Sequence, residues 1–334
     1  MEWYKRIALL SALLLSSLSA NASIRITRAS GGEGISADTA ANAISPAWTT
    51  LGPITIFERN QGHRARFRTG TNVTLVLRTP DGFEFNTNQV PSVSFTANRD
   101  IQSASATVTD SRNLTVTLTV SAQNYADRLE IGKTGGIQVR PVSGYPLASG
   151  NIHRPAGSAG GTAVIAGLRT TSNPDGTGAN VSNFGSLSMS PAAIVNLALH
   201  TPPSARAVVG LPFGRQPAIS VTDQYGNAGT NANGFQIHAD IESGAGVLLG
   251  NTTATVVNGV ATFTNLAASQ ASTITLKFVG GNLTPVFSEQ IVVDGIREPA
   301  IASSLALDKQ PSEVSLAGQP FAQQPVIRVQ DQYD

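Results

Sequence analysis

Residues Leu197 to Tyr225 recur 108 positions later as Leu305 to Tyr333. Leu197-Ala198-Leu199 returns as Leu305-Ala306-Leu307, Gly210, Pro212 and Phe213 as Gly318, Pro320 and Phe321, and Asp223-Gln224-Tyr225 as Asp331-Gln332-Tyr333. About half of the aligned positions are identical, so the chain carries a structural unit in tandem rather than one continuous domain. The second copy ends while most strands of the first are still to come. Residues 296–334 are therefore expected to be the start of a second, truncated repeat.

The rest of the pattern is that of short strands. Val73-Thr74-Leu75-Val76-Leu77, Ser103 to Thr109 and Leu114 to Val120 alternate or run with β-branched residues. Pro80-Asp81-Gly82, Gly135-Gly136 and Asn173-Pro174-Asp175-Gly176 separate them as turns. An apolar period of 3.6 appears only in the leader. The expected fold class is all-β: tandem antiparallel β-sandwiches, the second immunoglobulin-like, after an N-terminal signal peptide. The expected boundaries are 1–22 for the signal peptide, 23–168 for a first β-sandwich and 169–191 for a linker holding a closing strand near Phe184. An Ig-like repeat is expected at 192–295. Its strands are expected at Val195–Leu199, Ala218–Thr222, Phe235–Ile241, Thr253–Val257, Val260–Thr264, Thr273–Val279 and Val286–Val293.

Lys5-Arg6, the apolar run Ile7 to Leu15 and Ala20-Asn21-Ala22 make a leader cut before Ser23, which implies a secreted or cell-surface location. The run is too short to span a bilayer, and no other stretch reaches that length. With no cysteine, disulfides cannot hold the sandwiches together, and apolar cores must. Charged residues are 13% of the chain and the net charge is +1. Removing Glu2, Lys5 and Arg6 with the leader leaves a formally neutral chain, which offers nucleic acid no basic field.

Ile219-Ser220-Val221-Thr222-Asp223-Gln224-Tyr225-Gly226-Asn227 and Asn258-Gly259-Val260-Ala261-Thr262-Phe263 resemble the two signatures of bacterial Ig-like repeats of the invasin/intimin type. The first domain, at Leu77 to Asn86 and Gly136 to Pro141, resembles a β domain found ahead of such repeats. The resemblance implies a structural and adhesive role in a large surface protein, with surface glycan, matrix or a protein of a host or neighbouring cell as partner. It brings no catalytic residues. The alternative is a set of accessory modules, carbohydrate-binding or spacing, of a secreted polymer-degrading enzyme whose catalytic domain lies beyond residue 334.

Candidate chemistry is sparse. His63, His153, His200 and His238 are the four histidines, and no two stand at metal-ligand spacing, so neither metal nor cofactor is expected. Glu58, Asp81, Glu84, Asp127 and Glu130 are the first domain's candidates for a glycosidase pair, but Asp81 is explained by its own turn and Glu84 faces solvent between Phe83 and Phe85. Arg64, Arg66 and Arg68 share one face of an extended segment and form a candidate anionic-ligand face; a solvated edge strand is the commoner outcome. Asp223, repeated as Asp331, is read as a turn former rather than a calcium ligand, with Tyr225 packed on its own turn.

Overall fold

The computed structural model describes residues 24–59, 66–157, 165–296 and 301–331; the expected signal peptide, 1–22, lies outside them. The chain is all-β, with two apolar cores.

Four small sheets of three or four strands surround the first core, and a two-stranded parallel pair, Arg154–Pro155 with Thr170–Thr171, belongs to the same domain. Ile24–Thr27, Ile54–Glu58, Arg128–Ile131 and Val93–Phe95 form one antiparallel sheet, and Gly70–Arg78, Asn113–Val120 and Ile101–Asp110 form another. Strict alternation builds the latter. Leu114, Val116, Leu118 and Val120 point into the core, while Thr115, Thr117 and Thr119 point outward. A third sheet joins Thr49–Leu51, Ile137–Pro141 and Phe83–Phe85.

The fourth sheet draws on the end of the 169–191 segment, near Phe184. Gly185–Ser190 pairs antiparallel with Ser149–Ile152 and parallel with Ile35–Ser36. Leu187 and Met189 alternate with serines and, with Phe184 just before the strand, enter the first core, so this part of 169–191 packs as a strand of that core. A connection of only three residues, Pro191 to Ala193, then leads to the next strand at Ile194.

The second core belongs to one sheet path that curls on itself. Ile194–Thr201, Ala218–Asp223, Val260–Thr262, Thr253–Val257, Gln236–Ser243, Ser272–Val279 and Ile291–Asp294 pair in that order, all antiparallel. Ile219, Val221 and Ala261 from one limb meet Ile237, Ile274, Leu276 and Phe278 from the other, giving an Ig-like two-layer core. The rings of Phe263 and Phe278 sit 5.4 Å apart within it. Asn258 and Gly259, both at positive φ, make the tight turn between Thr253–Val257 and Val260–Thr262.

The strands differ in places from those expected: Leu248–Leu249 and Ala267–Ala268 form an additional antiparallel pair. The last expected strand is split into Val286–Phe287 and Ile291–Asp294, both on Ser272–Val279, because Ser288 turns inward and exchanges hydrogen bonds with Leu276. Arg206–Val208, where no strand was expected, lies parallel to Ile291–Asp294.

Ala302–Lys309 and Val326–Asp331 form an antiparallel hairpin. Its register copies that of Ile194–Thr201 with Ala218–Asp223: Ala302 faces Asp331 as Ile194 faces Asp223, and both pairs are irregular at equivalent places. Ile219 and Val221 are fully buried, whereas their counterparts Ile327 and Val329 are exposed.

Candidate functional site

The most elaborately bonded polar cluster lies where the two cores meet. Asp223 ends its strand fully buried, and both carboxylate oxygens are used. Oδ1 accepts from the backbone N–H of Tyr225 and Asn227, each at 2.9 Å. Oδ2 accepts from Asn227 Nδ2 and from the Ala192 N–H, each at 2.8 Å. Asp223 thus shapes its own turn, as its sequence context implies, and also holds the connection from the first domain.

The rest of the turn reaches across. Asn227 Nδ2 donates to the Gly144 carbonyl at 2.8 Å, and Gln224 Nε2 donates to Asp38 Oδ1 at 2.8 Å. Asn231 Nδ2 donates to the Pro191 and Ala192 carbonyls. Gly144 is itself fixed by Asn42 Oδ1, which accepts its N–H at 3.0 Å. The Tyr225 ring packs against the first core over Gly144, not against its own turn. The reason is steric: Gly144 lacks the β-carbon that would occupy the ring's place. Burial, with the nearby Asp38 and Asp223 charges, raises the Tyr225 phenol above its ordinary pKa.

The sequence-level candidates are scattered. Arg64 and His63 lie outside the described residues. Arg66 is half-buried and Arg68 exposed, on either side of buried Phe67, which bridges to Ile165. The Arg66 N–H donates to Glu58 Oε1 at 2.5 Å. His153 is buried, with Nδ1 2.9 Å from the Asn151 carbonyl, and burial lowers its pKa. His200 and His238 are exposed on separate strands. Among the described residues no three His, Asp or Glu side chains gather to hold a metal.

The carboxylates are corrected in part. Asp81 ion-pairs with Arg112 at 2.5 Å instead of closing its turn. Glu84 is largely covered rather than solvated: it pairs with Arg140 at 2.7 Å, and that guanidinium stacks on Trp48 at 4.0 Å from the ring centre. Glu130 pairs with Lys133 and Arg128, which lower its pKa.

One grouping joins two of the sequence-level candidates, Glu58 and Asp127, to Asp100, which sequence reasoning missed. Glu58, Asp100 and Asp127 are all buried in the first domain. Glu58 Oε2 accepts the Asp127 N–H at 2.8 Å, and Asp100 Oδ2 accepts the Tyr125 N–H at 2.7 Å. Desolvation, then the Asp100 and Glu58 charges, push the Asp127 carboxyl up to about 6. Glu58 is tied down by the backbone N–H groups of Arg66, Phe67 and Asp127, and Asp127 beside it carries the cost of desolvation. An open hollow of about 430 Å³ lined by Arg28, Ser30, Glu33 and Ser186 contains a single carboxylate.

No family model matches the chain, and no curated protein matches it. Among solved structures, the chain is similar to Yersinia pseudotuberculosis InvD, at 13% identity over 94% of this chain and 72% of that one, with a TM-score of 0.33. It is also similar to the Yersinia pseudotuberculosis adhesin InvE, at 13% identity over 87% of this chain and 68% of that one, with a TM-score of 0.25. The Ig-like assignment of the second core rests on its own strand pairing.

Proposed function

We propose that the chain is a non-catalytic structural and adhesive segment of a secreted or cell-surface repeat protein. The observation that carries this is the bonded junction between two sandwich cores. The three connecting residues are held by Asp223, Asn231 and Asp38, so the units are set end to end and not strung on a free tether. Stacked sandwiches of this kind supply reach and resist force. Export follows from the leader, and the partner class is a surface glycan, matrix component or cell-surface protein. The expected division of the chain into a sandwich at 23–168, an Ig-like repeat at 192–295 and the start of a second repeat at 296–334 is part of the same proposal.

Beads coated with the chain test it, applied to epithelial cells, matrix proteins and immobilised neutral and acidic polysaccharides. Saturable attachment without release of soluble sugar is the expected result. Sugar release by the pure chain overturns the reading in favour of an enzyme.

A further inference from the structure

Arg78 ends its strand between buried Leu77 and buried Thr79, in the sheet that also holds Asn113–Val120 and Ile101–Asp110. Its Nε is buried and has no hydrogen-bond partner. Among the described residues no carboxylate lies within ion-pair distance of its guanidinium. Other half-buried arginines of the domain are spent, Arg112 on Thr79 and Asp81 and Arg140 on Glu84. A covered N–H without an acceptor keeps its desolvation cost, which a ligand oxygen would relieve.

Arg78 borders a hollow of about 360 Å³, a size at the small end for small-molecule sites. Its lining takes Val76 and Arg78 from one strand, Asn113 and Thr115 from the central strand, and Thr109 and Asp110 from the third. The 155–157 segment completes it. Thr109 Oγ1 donates to the Asn113 carbonyl at 3.1 Å and lies 3.4 Å from Thr115 Oγ1, so the two hydroxyls keep lone pairs for a ligand. Asp110 is already engaged by the backbone N–H groups of Arg112 and Asn113 and by Asn113 Nδ2. Burial opposes its charge, but the bonds from Asn113 and Arg112, and then the Arg78 charge, hold its carboxyl below the ordinary pKa.

This set of groups selects among ligands. One cation and one carboxylate leave the hollow close to neutral, so a dense dianion such as phosphate meets Asp110 as a like charge. A single carboxylate can take two parallel N–H···O bonds from the Nε edge of an arginine. Hydroxyls on the body carrying that carboxylate then meet Thr109 and Thr115, which both donate and accept. We propose that the hollow binds an acidic sugar, a uronate or a sialic acid, with its carboxylate on Arg78 and its ring hydroxyls on Thr109 and Thr115. The inference narrows the partner class of the adhesive reading and rests on that reading for the sugar's source in a surface glycan.

NMR of the full chain tests it, by titration with D-glucuronate, N-acetylneuraminate, D-glucose and inorganic phosphate. Saturable shifts at the Arg78 Nε–H and the Thr109 and Thr115 amides are expected with at least one of the two acidic sugars. Glucose and phosphate should bind about tenfold more weakly, or worse. Arg78→Lys keeps the charge but loses the two-toothed edge, and should weaken acidic-sugar binding about tenfold at an unchanged melting midpoint. The site is overturned if neither acidic sugar gives saturable shifts at these residues, or if binding is the same after Arg78→Lys. Phosphate binding as tightly as the sugars overturns it too. Coated beads that still attach to cells or matrix when these titrations fail leave the adhesive reading standing and strike this site alone.

Discussion

Tyr225 lies face-on against Gly144, so that a β-carbon at position 144 would come within 2.6 Å of three ring carbons. This contact joins residues from different cores, and the polar bonds of Asn227 and Gln224 converge on the same spot. The backbone at Gly144 is not left-handed, and the atoms nearest to an added β-carbon are all in the Tyr225 ring. Gly144→Ala should therefore destabilise the wild type by about 1–3 kcal/mol. In a Tyr225→Ala background it should cost almost nothing. Urea denaturation of the four chains of this cycle checks the coupling, and additive losses would falsify the contact.

Asp223→Ala strips acceptors from the buried backbone N–H groups of Ala192 and Asn227, from the part-buried N–H of Tyr225 and from Asn227 Nδ2. Each donor left unsatisfied in the junction costs on the order of 1 kcal/mol or more, and the sum should reach roughly 2–4 kcal/mol. The loss should appear in the unfolding midpoint of the Ig-like unit, and proteolysis should begin to cut between Pro191 and Ala193. A variant that stays resistant there would mean that Asn231 and Asp38 suffice to hold the connection.

The sequence made one half of this junction readable. A buried-looking Asp before Gln-Tyr-Gly-Asn announces a turn, because a short carboxylate bonds the backbone two residues on. Nothing local announces that Tyr225 faces away, since its partner Gly144 is distant in sequence and distinguished only by a missing side chain. Strands of the Ig-like unit were legible because residues such as Ile237, Ala239, Ala254 and Val256 alternate with polar neighbours. Arg206–Val208 was not, being three residues long and paired in parallel with a strand far along the chain. Glu58 and Asp127 were candidates from the sequence, but their grouping with Asp100 was hidden, because the three come from separated segments.

That cluster makes stability depend on pH. The Asp127 carboxyl titrates near 6 in the folded protein, chiefly through desolvation and then through Asp100 and Glu58, with Arg99 opposing. Its unfolded value is about 3.9. A raised carboxyl pKa favours the protonated folded form, so its contribution is full below about pH 4 and is lost as pH rises through 6. Asp127→Asn should raise stability at pH 7.5 by roughly 1–3 kcal/mol and flatten the first domain's profile between pH 4 and 7. Thermal melts across that range check it, and an unchanged slope would place the group's titration elsewhere.

Trp48 is the one tryptophan besides Trp3, and its ring carries Arg140, which in turn pairs with Glu84. Arg140→Met keeps the apolar stem but removes the cation from the ring and leaves Glu84 covered and unpaired. The stacking contributes about 0.5–1 kcal/mol. The unpaired carboxylate adds to the loss, because a covered charge without its partner keeps the desolvation cost alone. The expected total is about 1–3 kcal/mol, with a shift in Trp48 emission as the cation leaves. Adding Glu84→Gln should recover part of the stability while leaving the emission shifted, because only the charge imbalance is repaired. Recovery of both signals together would mean that Glu84, and not the Arg140 stack, sets the environment of the ring.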